Sequence, residues 1–103
     1  MKQALMFPDL REKAVFSADR PQPQILLETD KLKAIVGGLV PGQQIPLHPE
    51  ALGLYHFLEG TGWMTVDGER FAISPGVTVY APEGAVRGMN AETRVIFLAV
   101  RVA

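Results

Sequence analysis

The sequence predicts an all-β single domain, built as a small jelly roll or barrel. Three observations predict it. The chain has 103 residues, enough for one hydrophobic core but not two. Its 10 glycines and 8 prolines recur at short intervals, and no stretch between them sustains a helical apolar period over about three turns. The remaining segments are short runs bounded by turn residues, as strands are.

Taken in order, strands are predicted over residues 24–28, 32–40, 44–48, 54–59, 63–66, 70–73, 77–81 and 94–102. Residues 1–20 form an N-terminal segment that packs on, or swaps between, barrels formed by residues 21–103. The clearest local signal is Val66-Asp67-Gly68-Glu69, because Asp-Gly accommodates the positive φ angles of a two-residue hairpin turn. Centred there, the hairpin sets Met64 opposite Phe71. A second turn at Gly60 and Thr61 is expected to set Phe57 opposite Met64 and Tyr55 opposite Val66, so that one face is continuously apolar.

By strict alternation the other face of these three strands carries Leu54, His56, Leu58, Trp63, Thr65, Arg70 and Ala72. That is too apolar for a solvent face. Either the N-terminal segment, residues 2–16, covers it, or a second copy does. A homodimer is expected through the face carrying Leu54, Leu58 and Trp63, with the indole as anchor.

Composition narrows the function classes. The 10 Lys and Arg are scattered among 11 Asp and Glu, giving a net charge of -1 and none of the basic excess that binds phosphate backbones. The longest apolar run, residues 95–100, falls short of the ~18 residues of a membrane span. Pro8 and Asp9 interrupt the start before a secretory apolar stretch develops. A cytoplasmic chain is expected, with neither nucleic acid nor membrane as partner. There is no cysteine, so any metal would rest on carboxylates and on the two imidazoles, His48 and His56.

The segment Pro41-Gly42-Gln43-Gln44-Ile45-Pro46-Leu47-His48-Pro49-Glu50, followed by Tyr55-His56-Phe57-Leu58-Glu59-Gly60-Thr61-Gly62, resembles the first conserved motif of the cupin family. The stretch from Gly76 to Arg87 resembles the second: Gly, five residues, Pro-x-Gly, two residues, His, with only the last residue changed. The resemblance covers roughly residues 38–102. It implies a cupin-type jelly-roll β-barrel, or double-stranded β-helix, and a metal site made of His-x-His and Glu from the first motif and His from the second.

At those positions this chain has His48, Glu50, Gly53 (or Leu54, with a shift of one) and Arg87. A guanidinium has no lone pair for a metal. No tightly bound metal or other cofactor is therefore expected. The alternative is a loosely held divalent transition metal on His48, Glu50 and His56, serving oxygenase-like chemistry. Strand parity opposes it: if residue 53 points inward, so do Tyr55 and Phe57, and His56 points out unless a bulge intervenes. Because the family arrangement converges positions 50 and 87 on one ion, a Glu50–Arg87 ion pair with His48 alongside is expected in its place.

These residues suggest a barrel that binds a small polar or anionic molecule. Arg87 offers a fork to an oxyanion, His48 and Glu50 complete the polar set, and Tyr55, Phe57, Met64 and Phe71 form apolar walls. A plainer alternative is an internal salt bridge filling a disused pocket. An enzymatic alternative is a metal-independent isomerase or lyase, with His48 or Glu50 as general base and Arg87 steadying an enolate-like oxyanion.

Overall fold

The computed structural model describes residues 3–102. Met1, Lys2 and Ala103, the ends of the predicted N-terminal segment and barrel, lie outside the described residues. The strands are β1 Gln24–Glu28, β2 Leu32–Leu39, β3 Gln44–Pro49, β4 Leu52–Glu59, β5 Gly62–Val66, β6 Glu69–Ile73, β7 Thr78–Ala81, β8 Val86–Ala91 and β9 Val95–Val102. They form two antiparallel sheets, one in the order β1-β2-β9-β4-β7 and the other β3-β8-β5-β6. This is the predicted jelly roll.

Alternation explains the core. Tyr55 and Phe57 of β4, Met64 and Val66 of β5, Met89 and Ala91 of β8, and Phe97 and Ala99 of β9 all turn inward and are buried. Residues between them, such as Leu54, face out. Phe57 and Phe97 meet with ring centroids 6.1 Å apart, and each fully buried side chain of this size contributes about 1.5–3 kcal/mol.

Eight of the nine strands lie where the sequence predicts them, to within two residues at either end. The ninth, β8, escapes prediction because Arg87, Gly88 and Asn90 interrupt its apolar pattern. Gly88 has a packing reason: a Cβ there would stand 2.6 Å from the Ile45 carbonyl oxygen of β3, beside the register irregularity between Ile45 and His48. The single helical element among the described residues, a 3₁₀ turn at Leu10–Lys13 capped by the Asp9 carboxylate, buries no residue.

The Asp67-Gly68 hairpin forms with Met64 opposite Phe71, and both turn residues have positive φ, 47° and 82°. The second expected turn is different. At Gly60-Thr61 the chain crosses from one sheet to the other, so β4 pairs with β7 and β9 while β5 pairs with β6 and β8. Phe57 and Met64 are both in the core but are not cross-strand partners. The crossing is tight: Gly60 has φ +89°, and a Cβ on it would overlap the Arg94 carbonyl.

The crossing also divides the expected dimer face. Leu54 and Leu58 stand on the first sheet, whereas Trp63 stands on the second, with the Arg70 guanidinium 3.8 Å from its ring centroid. The N-terminal segment meets the outer face of the first sheet near β2, and the Arg94 guanidinium, paired with Glu59, stands 4.8 Å from the Phe16 ring centroid. Val15 and Phe16 lie over Gly38 of β2, and the Gln43 side chain holds the segment by donating to the Ser17 carbonyl at 2.8 Å. Among the described residues no helix is long and apolar enough to cross a membrane.

Gly60→Ala is expected to cost more than about 3 kcal/mol, because it combines the left-handed conformation with a backbone overlap. Gly68→Ala, whose Cβ meets nothing within 4 Å, should cost only about 1 kcal/mol. Urea unfolding of both variants checks this, and equal losses would contradict the sheet crossing.

Candidate functional site

Arg87 is 1% exposed and is the one buried charged residue among those described. Its strand, β8, pairs with β3 so that Arg87 lies directly across from His48, and its side chain runs under the turn after β3. All five guanidinium N–H groups have acceptors. Nε donates to the Ala85 carbonyl (3.0 Å), Nη1 to the Ala51 carbonyl (2.8 Å) and the Tyr55 hydroxyl (3.2 Å), and Nη2 to the carbonyls of Glu50 (3.0 Å) and Pro82 (2.9 Å).

Gly53 makes room for this arrangement. A Cβ at that position would stand 3.0 Å from Arg87 Nη1 and 3.0 Å from the Tyr55 ring, closer than most real Cβ contacts.

The expected Glu50–Arg87 ion pair does not form. Glu50 turns its carbonyl, not its carboxylate, toward Arg87. The carboxylate accepts from its neighbour Ala51 N–H (3.1 Å) and pairs with Arg101 Nη1 at 2.7 Å. The physical reason is hydration. At the end of β3 the carboxylate keeps about a third of its surface in solvent (31%), and carbonyl dipoles satisfy the buried guanidinium without a second charge having to be desolvated. The Ala51 N–H, and then Arg101 and His48, hold the Glu50 carboxyl below its ordinary value.

Beside Arg87 lies a cavity of about 140 Å³. Its walls are Ile35, Ile45, Met64, Met89, Phe97 and Ala99, with Tyr55 and Arg87 among the buried residues lining it and the partly exposed His48, Glu50 and Arg101 at its edge. A shallower depression on the outside, near Lys33 and Glu28, shares Glu50 and Arg101 with it, so the ion pair marks the mouth. His48 donates from Nδ1 to the Pro46 carbonyl at 2.9 Å, which fixes the ring at that mouth.

Of the residues predicted to bind a ligand, the structure gathers His48, Glu50, Tyr55, Met64 and Arg87 around the cavity. Phe57 and Phe71 do not line it: Phe57 packs in the core and Phe71 against its edge. Arg101 was not foreseen, although it shares the inward parity of Phe97 and Ala99 on β9 and could have been found from it. His56 lies on the outer face, as parity requires, with Nδ1 2.7 Å from the Thr78 hydroxyl. The register irregularity in β4 falls between Phe57 and Glu59, beyond His56, and so does not turn it inward.

A two-sheet jelly roll with one end-opening pocket defines a class of barrel proteins, and comparison with known proteins places the chain within it. The family model described as cupin domain matches residues 36–101. The chain belongs to the cupin family. No curated protein matches it. A solved structure from Thermus thermophilus is similar at 24% identity with a TM-score of 0.87, over 95% of this chain and 97% of that one. A conserved protein of unknown function from Streptococcus pyogenes is similar at 24% identity and 0.83, over 99% and 90%. A cupin superfamily protein from Desulfitobacterium hafniense is similar at 16% identity and 0.84, over 99% and 94%. These likenesses concern the fold.

The metal site that the family implies does not fit these residues. Arg87 puts a permanent cation at one ligand position and Gly53 puts no side chain at another. Among the described residues no three His, Asp or Glu side chains come together, and the alternative set of His48, Glu50 and His56 is divided between the two sides of the barrel wall.

Arg87→Met should cost about 3–5 kcal/mol, since it strips donors from buried carbonyls, whereas Arg101→Met should stay within about 1 kcal/mol as a partly exposed pair. Chemical denaturation of the two variants compares them directly. Glu50 has a folded pKa below its unfolded one, so its stabilisation is complete above the ordinary carboxylate range and is lost as pH falls through the depressed value. The stability gap between the wild type and Glu50→Gln should therefore shrink between about pH 6 and pH 3; a gap constant with pH would contradict the pair.

Proposed function

We propose that this chain is a small-molecule-binding barrel that works without a tightly bound metal. The observation that carries the reading is the cavity of about 140 Å³, apolar within and polar at its mouth. Ligand pockets have this composition: apolar walls and a few placed polar groups. Apolar cavities of about 150 Å³ accommodate a benzene ring, which sets the size of molecule to expect.

The catalytic alternative draws less support. Arg87 has no N–H left for an oxyanion, the Glu50 carboxylate is engaged by Ala51 and Arg101, and His48 is tied to Pro46. The geometry of the same side chains supports holding a molecule more than transforming it.

A neutral aromatic probe tests the reading. Titration with benzamide should shift the methyl resonances of Met64 and Met89 in NMR spectra of the full chain. Ala99→Leu, which fills the cavity, should abolish the shifts while leaving the protein folded. Unmoved methyls at millimolar probe would overturn the pocket reading.

A further inference from the structure

The pocket reading leaves the ligand's charge unassigned, and the inference drawn here rests on that reading. Arg87 brings a full positive charge into the barrel, and among the described residues no carboxylate lies within 4.0 Å of it. Four carbonyls and a phenol satisfy its hydrogen bonds, but dipoles do not cancel a net charge. In a low-dielectric interior such a charge projects a positive potential into the space beside it.

Tyr55 connects that charge to the cavity. Its hydroxyl oxygen accepts from Arg87 Nη1, and no acceptor among the described residues takes the hydroxyl proton in return. The residue is 7% exposed and lines the cavity. A hydroxyl that accepts from a cation becomes a stronger donor. At the mouth, by contrast, Arg101 is already neutralised by Glu50 at 2.7 Å. The uncompensated positive charge bordering the pocket is therefore that of Arg87.

We propose that the pocket takes a small organic carboxylate, its charge toward the Arg87–Tyr55 pair. Its apolar body lies among Ile45, Met64, Met89 and Phe97, and its carboxylate accepts from the Tyr55 hydroxyl. Arg87 acts through Tyr55 as a positioning residue and does not itself touch the ligand.

Benzoate, benzamide and benzylamine share one ring and differ in charge, and isobutyrate with isobutyramide repeats the comparison at smaller size. Calorimetric titration of the full chain should find each carboxylate bound at least tenfold more tightly than its amide, with benzylamine weakest. Tyr55→Phe should bring benzoate down to the level of benzamide, and its melting temperature reports whether the fold persists. The wild-type ratios decide the charge assignment even if that variant does not fold. Equal binding of carboxylate and amide would overturn the assignment and leave the pocket reading standing. A carboxylate preference that survives Tyr55→Phe but is lost in Arg101→Gln would place the charge at Arg101 and overturn the orientation toward Tyr55. If none of the five probes moves the Met64 and Met89 methyls, both readings fall together.

Discussion

The structure turns on one requirement: a guanidinium taken almost wholly out of water must find an acceptor for each of its five N–H groups. Arg87 meets it with the carbonyls of Glu50, Ala51, Pro82 and Ala85 and with the Tyr55 hydroxyl. These acceptors belong to three separate pieces of chain: the β3–β4 turn, the β7–β8 turn and β4 itself. One side chain thereby gathers two turns and a strand at the same end of the barrel. The turns also support each other, since Gly84 N–H donates to the Glu50 carbonyl at 2.8 Å, so the cradle is partly formed by the backbone alone.

The shape of the pocket follows from this cradle. Because carbonyls satisfy Arg87, the Glu50 carboxylate is free to swing to the rim, where it meets Arg101 and stays hydrated. With the guanidinium bound to the turns, a cavity remains beside it among Met64, Met89 and Phe97. A direct Glu50–Arg87 pair would have required both charges to be desolvated, and their attraction seldom repays that cost in an apolar interior. Partners that are already dipolar and already in place avoid it.

Much of the fold was legible because two strong local rules applied. Period-two alternation places Tyr55, Phe57, Met64 and Phe97 inward, and Asp67-Gly68 admits only one tight hairpin. The same parity correctly turns His56 outward. What stayed hidden was long-range. Gly60-Thr61 reads locally as a hairpin, yet it crosses between sheets because Gly60 and Gly62 pack against the backbone at Arg94 and Asn90, which nothing nearby in sequence reveals. At the site, converging positions 50 and 87 suggested an ion pair between side chains. Which part of Glu50 faces Arg87, carbonyl or carboxylate, depends on the backbone path of the β3–β4 turn and is not encoded in residue type.

Positions 53 and 87 are physically coupled. A Cβ on residue 53 would stand 3.0 Å from Arg87 Nη1 and from the Tyr55 ring, so a side chain there requires the arginine or the ring to shift. The coupling is also electrostatic. Two like charges about 4 Å apart repel by about 4 kcal/mol at an effective dielectric of 20, so a guanidinium and a second cation do not comfortably share the interior. In this chain the buried positive charge is carried by a side chain. A metal ion can bind a ligand directly through open coordination positions. A guanidinium with all five donors engaged has none left to give, and of its five acceptors Tyr55 is a residue that lines the cavity.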